Sequence, residues 1–247
     1  MSSAIPGAAA AGLPWRHLLI ALAVVVVWGS NFVVIRLALE HLPPLTLATL
    51  RYVFALLPAV FFLPRPAVPW RVLALYGVAI GGQFGLLFIA MGGGGTLAAD
   101  ASPEGGLPTA GWISPGLASL VIQTQVFFTV GMAIWLQGER LRRPQIVGLL
   151  LAVAGLTSIA LQGDGGARPI GLVLVLLAAA SWACGNLVVM RAPRVDMLAF
   201  VVWASLFSVP PLALLAFVIE GPAAIVQGLQ AATATTWAAV LWQAVGN

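Results

Sequence analysis

The sequence predicts an all-α fold, a polytopic membrane helical bundle, and three observations lead there. Hydrophobic residues make up 61% of the chain and charged residues 7%, with a mean hydropathy of +1.05. A soluble domain carries about a quarter charged residues, so this chain cannot cover a water-facing surface and lipid must be its solvent. The apolar residues gather into runs near the roughly 20 residues that a helix needs to cross the hydrocarbon core. These runs lack the two-residue alternation of membrane strands, which argues against a barrel.

Seven runs follow one another, at 18–35, 45–63, 72–91, 113–136, 146–162, 170–190 and 197–219, and a shorter one at 236–245 begins an eighth. Pro43-Pro44, Pro64-Arg65-Pro66, Pro144, Pro169 and Gly221-Pro222 punctuate the gaps. Residues 1–17 read as a disordered cytoplasmic tail. The first run is long for a signal peptide and shows no small-x-small cleavage site before Trp28. The stretch 92–112, rich in Gly, Pro and Ala with Asp100 and Glu104 but no base, reads as a flexible inserted loop. It has no Lys and lacks the spacing of a phosphate-binding loop.

All eleven basic residues are arginine. With the N-terminus in the cytoplasm, eight face inside (Arg16, Arg65, Arg71, Arg140, Arg142, Arg143, Arg191 and Arg194) and two outside (Arg36 and Arg168). That bias predicts a cytoplasmic N-terminus. The pI of 10.6 does not indicate a nucleic-acid partner, because the arginines sit singly or in short groups at span ends. Cys184, alone in the chain, excludes an intrachain disulfide and reads as a small buried hydrophobe.

Two stretches resemble each other. VVVVWGSNFVVIR (24–36) contains NFVVIR, which aligns with NLVVMR in SWACGNLVVMR (181–191). Asn31 then matches Asn186, Arg36 matches Arg191, and Trp28 lies one residue out of register with Trp182. The copies open the first and sixth spans, and an odd number of spans per repeat inserts the two halves with opposite topology. Inverted repeats place a solute site at their interface near the membrane midplane. An amide in hydrocarbon needs a partner or a water-filled cavity, which gives the asparagines a reason to be there.

Other polar residues lie within spans. Gln83 follows Gly77 and Gly81 and precedes Gly85, a spacing of four that lets a neighbouring helix approach closely. Gln123 and Gln125 are two apart and point about 200° from each other on a helix, so at most one faces a cavity squarely. Arg51 fits snorkelling or pairing with a carbonyl, and alternatively contact with an anionic solute group. No Asp or Glu lies mid-span, and Glu139 sits beside Arg140 at a span end. Neither His17 nor His41 belongs to a metal or catalytic motif, so the chain reads as a non-enzyme with no cofactor and no metal site.

The stretches VVVVWGSNFVVIRLALEHLPPLTLATLRY, GLASLVIQTQVFFT, GERLRRPQIVGLLLAVAGL and SWACGN, in this order, resemble the EamA family of the drug/metabolite transporter superfamily, closest to its O-acetylserine/cysteine exporter branch. The resemblance implies ten helices in two inverted five-helix repeats, an alternating-access cavity, and a multi-pass protein of the bacterial inner membrane. It divides the chain into a first repeat at 18–162 and a second, incomplete repeat at 163–247. It makes Trp28, Asn31, Gln83, Gln123, Gln125, Trp182 and Asn186 candidates to line the solute path, with Arg51 as an anion contact. The implied function is export of small amino-acid-like metabolites such as cysteine or O-acetylserine. A second E-R-x-x-x-x-Q-x-x-G motif, expected after the one beginning at Glu139, is absent. That gives a C-terminally truncated, non-transporting fragment as the alternative reading. Efflux of drugs or other metabolites is a further alternative, although toxic-cation efflux is disfavoured because the first span carries no Glu. The partners expected are the lipid bilayer and a small-molecule solute, with a homodimer left open.

Overall fold

The computed structural model describes residues 15–93, 111–138, 143–162, 168–193 and 195–246. Among them the helices are α1 (Trp15–Leu39), α2 (Pro44–Leu56), α3 (Trp70–Gly92), α4 (Pro115–Val121), α5 (Gln125–Gln137), α6 (Arg143–Gln162), α7 (Pro169–Met190), α8 (Met197–Leu215), α9 (Gly221–Ala231) and α10 (Ala234–Val245). Short turns of other pitch link some of them: 3-10 at Ala59–Phe61 and Ile122–Thr124, and π at Ala216–Glu220.

Among the described residues six stretches are long and apolar enough to cross a membrane: Trp15–Leu39, Pro44–Phe61, Trp70–Gly92, Pro115–Leu136, Pro169–Met190 and Met197–Ala231. The fifth expected span coincides with α6, of which Arg143–Gly155 is a shorter apolar stretch. The expected eighth run is helical as α10. α1 begins at Trp15, inside the tail expected at 1–17, and residues 1–14 lie outside the described residues. So do residues 94–110 of the expected insertion and the pair Glu139-Arg140.

Local chemistry explains where the helices break. Leu57 is extended (φ −99°, ψ 134°), as a residue before proline prefers, and α2 ends there. In the fourth span Ser119 Oγ donates to the Gly116 carbonyl at 2.6 Å and Thr124 Oγ1 to the Val121 carbonyl at 2.7 Å. Such back-bonding competes with the helical ladder, and the span turns 3-10 at Ile122–Thr124 before α5. Gly221, at φ +79°, closes the π turn and redirects the chain into α9.

α3 is the centre of the bundle and packs most extensively against α7 and α8. The glycine stripe does what its spacing predicts. A Cβ on Gly77 would lie 2.2 Å from the Ala204 carbonyl oxygen, on Gly81 3.0 Å from Ser208 Cβ, and on Gly85 2.9 Å from Leu212 Cδ2. Three hydroxyls from three other helices donate to α3 carbonyls: Ser208 Oγ to Gly77 at 2.7 Å, Ser181 Oγ to Ala79 at 2.7 Å, and Tyr52 Oη to Ile80 at 2.9 Å. A carbonyl already in a helical ladder keeps a second lone pair, so each hydroxyl finds a partner without opening the helix.

One end of the bundle gathers the end of α1 and the starts of α2, α7 and α10. There the Trp112 N–H donates to the Ala90 carbonyl at 3.0 Å and the Arg168 N–H to the Trp112 carbonyl at 2.8 Å. Arg36 Nη1 donates to the Met91 carbonyl at 3.4 Å. α1 therefore ends where α7 begins, and the two run antiparallel. At the opposite end Trp70 packs on Trp203, with centroids 6.0 Å apart, and Arg65 lies 3.9 Å over the Trp70 ring.

Glu220, one residue past the expected seventh run, falls inside the continuous stretch Met197–Ala231 and is buried. Its carboxylate accepts from the Leu45 N–H, from the Thr46 N–H at 2.9 Å and from Thr46 Oγ1 at 2.7 Å. α2 has no side-chain cap of its own, because Pro43 occupies that position. A carboxylate from distant sequence takes over the orphan N–H groups and faces the positive end of the helix dipole. Sequence pattern misses it because the partners are 174 residues apart.

Cys184 also differs from expectation: it is exposed rather than buried, with Sγ 3.9 Å from Met132 Sδ.

Gly77→Ala should cost about 1–3 kcal/mol, since the new methyl must push main chain aside. Gly116→Ala, which meets nothing within 4 Å, should be neutral or slightly stabilising. Thermal unfolding in detergent compares the two, and equal midpoints would mean that the α3–α8 approach is not tight.

Candidate solute cavity

Between α1, α3, α7 and the α4–α5 junction lies a cavity of about 450 Å³. Its polar lining consists of Asn31, Gln83, Ser119 and Gln123, and its aromatic lining of Trp28, Phe32, Phe84 and Trp182. Every lining side chain is uncharged. The size is within the range of small-molecule sites, which are mostly apolar with a few polar groups that fix orientation.

The geometry brings together five of the seven candidate path residues. The rings of Trp28 and Trp182 meet edge to face, with centroids 6.1 Å apart and planes at 62°. The tryptophans of the two similar stretches thus touch across the α1–α7 contact, at one wall of the cavity. Gln83, on α3, is 5% exposed and held behind the glycine stripe. Gln123 is in the 3-10 turn and lines the cavity.

The other two candidates bind each other. Asn186 Nδ2 donates to Gln125 Oε1 at 3.2 Å, and the same oxygen accepts from Thr129 Oγ1 at 3.2 Å. Neither Asn186 nor Gln125 is among the lining residues. The opposed directions of Gln123 and Gln125 are resolved accordingly, one to the cavity and one to α7.

Arg51 is buried and does not line the cavity. Its Nε donates to the Gln243 carbonyl at 3.0 Å, so it pairs with main chain. Its guanidinium carbon lies 3.6 Å from the centroid of Phe84 and 4.8 Å from that of Tyr52. A desolvated cation over an aromatic face gains about 2 kcal/mol, which offsets part of the cost of burial. Phe84 in turn lines the cavity, so the positive charge stands one ring behind the wall.

Sequence reasoning missed Gln243. It is fully buried in α10, and its Nε2 donates to the Asn31 side-chain oxygen and, at 3.3 Å, to the Asn31 carbonyl. The signal was available, since a glutamine interrupts an otherwise apolar run at 236–245. Nearby, Thr236 Oγ1 lies 3.1 Å from His41 Nδ1 and ties the start of α10 to the α1–α2 turn. Among the described residues no three His, Cys, Asp or Glu side chains cluster as a metal site requires.

Residues 15–102 match the EamA-like transporter family. A probable amino-acid metabolite efflux pump of Salmonella typhimurium is 40% identical over 233 residues, which span 91% of this chain and 72% of the relative. A protein of the same description in Escherichia coli is 36% identical over the same shares. The uncharacterized inner membrane transporter YedA of Escherichia coli is 30% identical, covering 72% of this chain and 56% of its own length. No solved structure matches the chain significantly.

The Gln125–Asn186 contact predicts a stability effect. Asn186→Leu should lower stability by about 0.6–1.7 kcal/mol, the range for interhelical hydrogen bonds in membranes. Gln125→Leu should cost a similar amount, and the double variant less than the sum of the two. Strict additivity in detergent unfolding would show that the two amides do not interact.

Proposed function

We propose, since the chain belongs to the EamA-like transporter family, that it exports small amino-acid-like metabolites by alternating access, with cysteine and O-acetylserine as the solutes to test first. The protein is a multi-pass membrane protein, and relatives described as inner membrane transporters support the bacterial inner membrane as its location. The eight-to-two arginine bias supports a cytoplasmic N-terminus.

One observation carries the reading. The two similar stretches, on antiparallel helices, meet through Trp28 and Trp182 at the wall of an uncharged cavity of about 450 Å³. Amides on three sides can replace water around the polar groups of a net-neutral solute, and the aromatic walls suit an apolar side chain. A bare cation would leave water for a lining that holds no carboxylate, which favours a metabolite over a toxic cation. Relatives described as probable amino-acid metabolite efflux pumps point the same way.

Counterflow in proteoliposomes tests this. Liposomes holding the protein and preloaded with unlabelled cysteine or O-acetylserine should take up the labelled compound with saturable kinetics. Trp28→Ala and Gln83→Leu, if they elute as folded protein, should slow uptake about tenfold, equivalent to about 1.4 kcal/mol. Saturable ethidium flux without amino-acid flux would replace the reading with drug efflux, and flux of neither compound would sink it.

A further inference from the structure

We propose that Gln243 is a positioning residue: it fixes which way the Asn31 amide faces, so that the cavity receives the hydrogen-bond-accepting end of a solute, the carboxylate of an amino acid. This deepens the exporter reading and rests on it.

The argument turns on which atoms can meet. Gln243 approaches two oxygens of Asn31, the side-chain Oδ1 and, at 3.3 Å, the main-chain carbonyl. A main-chain carbonyl can only accept, so the atom Gln243 turns toward it must be the amide nitrogen. The reversed amide would set Oε1 against that carbonyl, two acceptors face to face. With the nitrogen fixed, its second hydrogen needs an acceptor too, and Asn31 Oδ1 supplies it. Asn31 is therefore held with its oxygen turned toward α10. Its Nδ2, which carries two N–H donors, is the group left for the cavity that Asn31 lines.

Gln243 is itself held in place. It is fully buried, and its main-chain carbonyl accepts from Arg51 Nε at 3.0 Å. Its Oε1 is buried with no hydrogen-bond partner, so the nitrogen's two contacts with Asn31 are what fix the amide. Arg51, packed on Phe84, adds positive potential behind the same part of the cavity wall. Donor and charge agree in sign, and both favour an anionic acceptor. A site built to hydrogen-bond one group rejects an analogue that lacks it.

Equilibrium binding of radiolabelled L-cysteine and of cysteamine, the same compound without its carboxylate, to the full chain in lipid nanodiscs tests the proposal under reducing conditions. The native chain should prefer cysteine by about tenfold or more. Asn31→Asp keeps an oxygen facing Gln243 but replaces the donor with a second acceptor, and should reverse the preference. Gln243→Met removes the –NH₂ group, frees the Asn31 amide to turn, and should weaken cysteine binding about five- to tenfold with cysteamine within about twofold of native. If Gln243→Met does not fold, Asn31→Asp decides alone. Native preference absent, or the cysteine-to-cysteamine ratio unchanged in a folded Asn31→Asp or in a folded Gln243→Met, overturns the inference and leaves the exporter reading standing. Saturable binding of neither compound to the native chain overturns the exporter reading and this inference with it.

Discussion

Hydrocarbon offers no hydrogen-bond partner, and that constraint shapes this bundle more than any single apolar contact. Each polar atom that enters the lipid-exposed layers must find its complement within the protein. The α3 helix answers for much of that demand. Its glycines bring α8 close enough for Ser208 to reach the Gly77 carbonyl, while Ser181 and Tyr52 use the carbonyls of Ala79 and Ile80. For Ser208 the pairing depends on the close approach, since a side chain at Gly77 or Gly81 would hold α8 too far away for its hydroxyl to reach the carbonyl.

The same constraint sorts the amides. Asn186 and Gln125 satisfy each other and are consumed in holding α7 to α5. Asn31 is satisfied on one side by Gln243 and open on the other to the cavity. Gln83 and Gln123 line the space directly. A glutamine or asparagine in a span is thus no guide to function on its own, and what matters is whether its partner is protein or empty volume.

Much of this was legible in the sequence and some was not, for identifiable reasons. Helix positions followed from apolar runs and prolines because hydrocarbon thickness sets their length. The glycine spacing of Gly77, Gly81 and Gly85 announced a tight neighbour, although not that the neighbour would be α8. The paired motifs marked Trp28 and Trp182, yet the contact of their rings depends on how the bundle brings α1 and α7 to one cavity, which no local pattern encodes. The angle between Gln123 and Gln125 said that only one could face a cavity. Which one was decided by a 3-10 turn that arises from hydroxyl back-bonding. Glu220 and Gln243 escaped notice because each sits at the margin of a run, and because their partners, Thr46 and Asn31, lie at the other end of the chain.

The carboxylate of Glu220 has a mechanical meaning. Three bonds from one side chain seize the first turn of α2 and join it to the π turn that follows α8. The two helices are thereby riveted at one end, in addition to their packing along the bundle. Any rearrangement that turns the cavity from one face of the membrane to the other must carry α2 and α8 as one lever. The compliance has to come from elsewhere, and along the cavity the helical ladder is already interrupted at the 3-10 turn between α4 and α5, beside Gln123.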